Sequence, residues 1–77
     1  MSEADKMFEE LGYKKKKLDF IFSRFWEEWE NEELVKTFSF NYRYEILDIT
    51  DKNEYGVTMQ ELQAINEKCK ELGWLDE

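Results

Sequence analysis

The stretch Gly56–Trp74, GVTMQELQAINEKCKELGW, constrains the fold of this 77-residue chain more than any other. Thr58 and Glu61 stand in T-x-x-E spacing, which lets each side chain satisfy a backbone N–H of the other at a helix start. Met59, Leu62, Ile65, Cys69 and Leu72 follow at steps of three or four, one apolar stripe of a 3.6-residue period. Lys68 and Lys70 lie in the last turns, where the helix dipole favours cations. Gly73 is placed for a left-handed C′ residue, and Trp74 for the C″ aromatic that folds back near Cys69. The spacing predicts a helix whose single apolar face needs a layer to pack on.

The N-terminus repeats the design in miniature. Ser2 stands as cap with Asp5 three residues on, Ala4, Met7, Phe8 and Leu11 line one face, and Gly12 ends the helix before Tyr13. The endings Glu10-Leu11-Gly12-Tyr13 and Glu71-Leu72-Gly73-Trp74 are one helix-stop solution used twice; four residues are too short an echo to indicate duplication.

Between the helices, Phe38, Phe40, Tyr42, Tyr44 and Ile46 alternate with Ser39, Asn41, Arg43 and Glu45, the period of a half-buried strand. Leu34 and Lys36 extend the register backwards, and Leu47 and Ile49 take the other parity. A run from Leu34 to Thr50 exceeds a usual strand, so two strands broken around Asn41–Arg43 are expected, with one long bent strand as the alternative. In residues 18–29, LDFIFSRFWEEW, the apolar spacing fits a helix, while Phe, Ile and Trp favour a strand. Lys14–Lys17 before the segment and Glu27, Glu28 and Glu30 at its end oppose a helix dipole, and a strand is expected. The acidic run Glu27–Glu33 then becomes a hairpin connection, Lys14–Lys17 a solvated turn, and Asp51–Gly56 a turn into the last helix. The fold class is α+β: N-terminal helix, three-stranded antiparallel meander, C-terminal helix, with both helices on one sheet face and residues 1–77 as one domain.

A domain this small buries only roughly 60% of its unfolded surface. With one cysteine and no histidine it has neither an intrachain disulfide nor a histidine metal site to reinforce it. Aromatic residues make up 17% of the chain, and each buried ring removes about 150–250 Å² from water, enough to close a small core. The lone cysteine suggests a reducing cytoplasm. The acidic, amphipathic start does not have a signal-peptide pattern, and no apolar run reaches the roughly 20 residues of a membrane span.

Catalytic chemistry finds little to work with. Without histidine there is no Ser-His or Cys-His pair, and Cys69 on the apolar stripe reads as a small hydrophobe. Asp51–Gly56 opens like a calcium loop, but Tyr55 and Leu62 stand at the fifth and twelfth positions where oxygen ligands belong. No metal, cofactor or enzymatic activity is expected.

Charge is unevenly placed. Residues 1–26 hold six Lys/Arg against five Asp/Glu, and residues 27–77 hold five against fourteen, within a net charge of −8. Such a chain repels phosphate backbones, so direct nucleic-acid binding is not expected. Glu27, Glu28, Glu30, Glu32 and Glu33 surround Trp29. Either Trp29 packs at the core edge beside a charged hairpin tip, or it anchors an acidic epitope that docks a basic groove. On the second reading the contacts are Glu27, Glu28, Trp29, Glu30, Glu32 and Glu33, with Asp48, Asp51 and Glu54 next.

The two ends, ADKMFEELGYKK and GVTMQELQAINEKCKELGWLDE, resemble small proteins encoded by bacteriophages and prophages of Gram-positive bacteria. That group shares an E-E-L-G-Y start and a T-M-Q-E-L-x-A-I-N-x-K-C-x-E-L-G-W end. The match covers Ala4–Lys15 and Val57–Leu75, and the middle of the chain follows no shared pattern. The resemblance carries no catalytic residues. It implies a phage context, in which small acidic proteins block host defence or nucleic-acid enzymes, CRISPR effectors included, by imitating phosphate charge. The expected partner is thus a host protein with a basic surface. The alternative is an assembly protein, a homodimer through a sheet face bearing Phe38, Phe40, Tyr42 and Tyr44 if the helices leave these residues uncovered.

Overall fold

Both helices start and stop on the residues the sequence marks. The computed structural model of the chain describes residues 2–75. Helix α1 spans Glu3–Glu10, with the Ser2 hydroxyl accepting from the Asp5 amide at 3.1 Å. Helix α2 spans Met59–Glu71 and begins with a complete Thr58–Glu61 capping box. Each ends in the same paired bonds: Tyr13 N–H to Phe8 O at 2.9 Å with Gly12 N–H to Glu9 O at 3.0 Å, and Trp74 N–H to Cys69 O at 2.8 Å with Gly73 N–H to Lys70 O at 3.0 Å.

The described residues form a four-stranded antiparallel sheet in the order β1-β2-β3-β4: β1 Lys14–Lys15, β2 Trp26–Asn31, β3 Lys36–Asn41 and β4 Ile46–Asp51. The three long strands are six residues each and repeat every ten. Each ends on an Asx residue that organises the next turn. Asn31 Oδ1 accepts from the Leu34 amide, Asn41 Oδ1 from the Arg43 and Tyr44 amides, and Asp51 Oδ2 from the Gly56 amide.

One sheet face carries Trp29, Phe38 and Phe40, and both helices pack on it through Ala4, Phe8, Ala64 and Ile65. Phe8 stacks on Trp29 with centroids 5.1 Å apart. The aromatic that follows each helix lands on β3: Tyr13 stacks on Phe38 at 4.8 Å, and Trp74 tilts against Phe40 at 6.1 Å.

Five expectations are corrected. The sheet has a fourth strand, because Lys14–Lys15 pairs with Trp29 and Glu30 instead of turning in solvent. Residues 18–25 are not strand; they include only a single 3-10 turn, Phe22–Arg24, and lie across the sheet face opposite the helices, where Leu18 and Phe22 share a groove with Trp26 and Ser39. Residues 27–31 lie in strand β2 instead of forming a hairpin connection, and the connection is 32–35. The stripe on α2 holds at Ile65, Cys69 and Leu72, which pack on the core, but not at its start: Met59 and Leu62 are exposed, and Glu61, Ala64 and Lys68 are buried. Phe38 and Phe40 lie fully beneath the helices, so the aromatic sheet face considered for self-association is closed, with Tyr42 half-buried and Tyr44 exposed in the β3–β4 turn.

Candidate functional site

Glu27 and Trp29, the centre of the expected epitope, are 4% and 1% exposed. They lie on the helix-covered face, where the Trp29 indole donates to Glu27 Oε2 at 2.6 Å. Tyr42 donates to Glu27 Oε1 at 2.6 Å. Lys68 on α2 closes the network at 2.8 Å from Glu27 and 2.7 Å from Asp5. Burial pushes the Glu27 carboxyl up, but the bonds from Lys68, Tyr42 and Trp29 outweigh it and hold it below the ordinary value. Lys68 responds in the opposite sense: burial pushes it down, and Asp5 and Glu27 raise it on balance.

A second network closes the other end of the core. Lys36 Nζ lies 2.8 Å from Glu61 Oε1, with both side chains at most 3% exposed. Tyr13 donates to Glu61 Oε2 at 2.5 Å and the Thr58 amide to Oε1 at 2.9 Å. Burial and the neighbouring Glu61 carboxylate together raise the Tyr13 phenol well above its usual range. Both networks are fully engaged in holding the helices to the sheet. Cys69 is half-buried, and burial raises its thiol, which disfavours the thiolate that nucleophilic chemistry requires.

The remaining expected residues divide by position. Glu32 and Glu33 are exposed in the β2–β3 turn, and half-buried Glu30 points to the face opposite the helices. These three share a groove of about 490 Å³ with Lys14, Lys15 and Lys16, so lysines balance this part of the acidic run. Glu54 is exposed in the connection to α2. Asp51 is half-buried at the end of β4, and its Oδ1 is buried without a hydrogen-bond partner.

Glu28 and Asp48 come together across the sheet. The register sets Glu28 opposite Ser39 and Ser39 opposite Asp48, so the two residues flank one serine on strands about 10 Å apart. Ser39 donates to Glu28 Oε2 at 2.7 Å, and Lys16 approaches Oε1 only to 3.7 Å. Asp48 is exposed, and its carboxylate has no side-chain partner among the described residues. Leu18, Phe22 and Trp26 wall the groove above this row, which has a volume of about 390 Å³.

The 18–25 strap is what the sequence reading missed. Phe20 is 76% exposed, Ile21 67%, Phe22 57% and Phe25 42%. The conformation is nonetheless specified: Asp19 Oδ1 accepts from the Ile21 and Phe22 amides, both at 3.0 Å, and the Arg24 guanidinium lies 5.0 Å from the Phe20 ring centre. A sequence signal for it exists. Four large apolar residues within six positions exceed what one face of a strand can bury, and Ser23-Arg24 interrupts any alternation.

Among the described residues no group of three or more acidic, cysteine or histidine side chains is placed to hold a metal ion, and no helix is long and apolar enough to cross a membrane. No protein-family model matches the chain, and neither the curated proteins nor the solved structures provide a significant match.

Proposed function

We propose that this chain is a non-enzymatic, acidic protein-binding module of phage or prophage origin that docks on a basic surface of a host protein in the cytoplasm. A nucleic-acid-handling defence protein, such as a CRISPR effector, presents the kind of surface it would occupy. The observation that carries the reading is the strap: Phe20, Ile21, Phe22 and Phe25 stay exposed, and Phe22 with Leu18 borders the Glu28–Ser39–Asp48 row, on a chain of net charge −8. Contiguous apolar surface rimmed by polar groups marks interaction sites in small proteins. Apolar anchors supply affinity, while the carboxylates select a cationic partner and speed its approach.

This moves the epitope from Trp29 to the strap. Glu28 and Asp48 remain contacts, Glu32, Glu33 and Glu54 contribute to the long-range field, and Glu27 and Trp29 serve the core. The test is affinity capture from a Gram-positive host lysate at low and high salt, using the intact chain and a folded Phe22→Asp/Asp48→Lys variant. The expected result is a retained protein with a basic surface, depleted at high salt and absent from the variant. A partner retained equally by the variant would remove the strap from the function.

A further inference from the structure

β4 ends the sheet on the side away from β1, and the direction of its unpaired backbone groups is fixed by the ladder. The Lys52 N–H bonds Val35 O at 3.2 Å, and hydrogen-bonded pairs in an antiparallel ladder recur every second residue. The pairs Thr37–Thr50, Ser39–Asp48 and Asn41–Ile46 therefore carry the β3–β4 bonds. The N–H and C=O groups of Leu47 and Ile49 point outward. The other side of β3 obeys the same alternation, with the Tyr42 N–H bonding Phe25 O at 2.8 Å.

The side chains leave this edge open. Ile46 is 54% exposed and Ile49 40%. The opposite edge, β1, is two residues long and carries only lysines, the usual defence against unwanted pairing. β4 has six residues with no lysine, proline or bulge, and its charges are Asp48 and Asp51.

We propose that β4 accepts an extended, basic segment of the partner protein as an additional antiparallel strand. This rests on the reading that the partner is cationic, and it adds how the partner binds. Backbone bonds to Leu47 and Ile49 give the strand its register, and its cationic side chains on the strap side meet Asp48. The net charge of −8 on each chain opposes a second copy as the occupant. Antiparallel self-pairing with matched faces requires opposing residues of equal parity. Centring it on Asp48 opposes two carboxylates directly. Centring it on Ile49 still gathers both copies' Asp48 and Asp51 along one seam, between two chains of net charge −8.

The test is amide hydrogen exchange on the full ¹⁵N-labelled chain with a hexapeptide of alternating arginine and valine at millimolar concentration. The Leu47 and Ile49 amides are expected to exchange at least about tenfold more slowly, while the Asp48 and Thr50 amides, already bonded to β3, change little. Asp48→Lys should weaken the effect. Ile49→Pro removes an outward donor without breaking a ladder bond, so it should keep the fold and lose the effect. A peptide N-methylated at every backbone nitrogen should do nothing. Unchanged exchange at Leu47 and Ile49, or equal slowing by the N-methylated peptide, overturns strand addition. Slowing that tracks protein concentration without peptide overturns it in favour of a second copy. If the strap variant loses its host partner while the peptide leaves β4 unchanged, strand addition alone fails and the binding function stands.

Discussion

Glu61 bonds Lys36 at 2.8 Å while its side chain also caps the helix that carries it. One carboxylate thus joins the start of α2 to the start of β3, and two further donors, the Tyr13 hydroxyl and the Thr58 amide, with a second contact from Lys36, leave neither of its oxygens idle. Removing one member of a buried pair strands the other charge, which destabilises by about 3–5 kcal/mol. Glu61→Ala should reach the upper end of that range in chemical denaturation, because it removes the cap as well. Lys36→Met should be milder, since Tyr13 and Thr58 still satisfy Glu61. The double variant should be less destabilised than the sum of the two singles, and additivity would show that the pair is not coupled.

Trp29 belongs to the core. Its ring is buried against Phe8 and its indole N–H is committed to Glu27. Trp29→Ala should therefore destabilise by about 3–5 kcal/mol, enough to unfold much of a chain this small. Trp29→Phe should cost less but leave Glu27 one donor short. A Trp29→Ala variant that melts like the parent would return Trp29 to the surface.

The helices were legible because their signals are local. Ser2, the Thr58–Glu61 box, Gly12-Tyr13 and Gly73-Trp74 each act within five residues. The middle was not legible, because charges there are neutralised from a distance. Glu27 reads as solvent-facing until Lys68, 41 positions later, is placed beside it. Lys68 and Glu61 likewise break the apolar count on α2: Ile65, Cys69 and Leu72 face the core as the spacing expects, but Met59 and Leu62 do not. One signal in the middle was readable: Asn31, Asn41 and Asp51 recur every ten residues and end three strands. Of the expected contacts, only the exposed or half-buried carboxylates remained surface features. The strap was hidden because its apolar content argues for burial that the small sheet cannot provide.

The charged networks predict a stability plateau in pH. Asp5, Glu27 and Glu61 are held below their ordinary values. They stabilise the fold above the unfolded carboxyl range near pH 4, and that contribution disappears as pH falls through the lower folded values. Lys68, Tyr13 and Tyr42 are raised. Their contribution is complete below about pH 10 and is lost as pH rises through the higher folded values. Thermal melts should be flat from about pH 5 to 9 and fall on both sides. Glu27→Gln should make the acid limb shallower. A Tm that declines steadily from pH 8 to pH 5 would contradict the ionised networks.

Gly12 and Gly73 hold the same C′ role with unequal room. Both have positive φ, 92° and 77°, so alanine at either should cost about 1–2 kcal/mol. A Cβ at Gly12 would also lie 3.2 Å from Asn31 Nδ2, while at Gly73 it meets nothing within 4 Å. Asn31 holds the end of α1 through Leu11 O at 3.2 Å and shapes the β2–β3 turn. Gly12→Ala should therefore lower Tm more than Gly73→Ala, and equal losses would mean that Asn31 yields freely.

The strap offers the sharpest contrast between stability and function. Phe20 and Ile21 are more than two-thirds exposed, so replacing them removes little buried area. Phe20→Ser and Ile21→Ser should each change stability by no more than about 0.5 kcal/mol and should raise solubility by thinning the apolar patch. Leu18→Ser should cost more, because Leu18 is half-buried in the groove with Trp26 and Ser39. Denaturant midpoints for the three variants measure this order directly. A large loss from Phe20→Ser would mean that the strap is held by contacts its exposure does not reveal, and its aromatic residues would then need no partner to explain them.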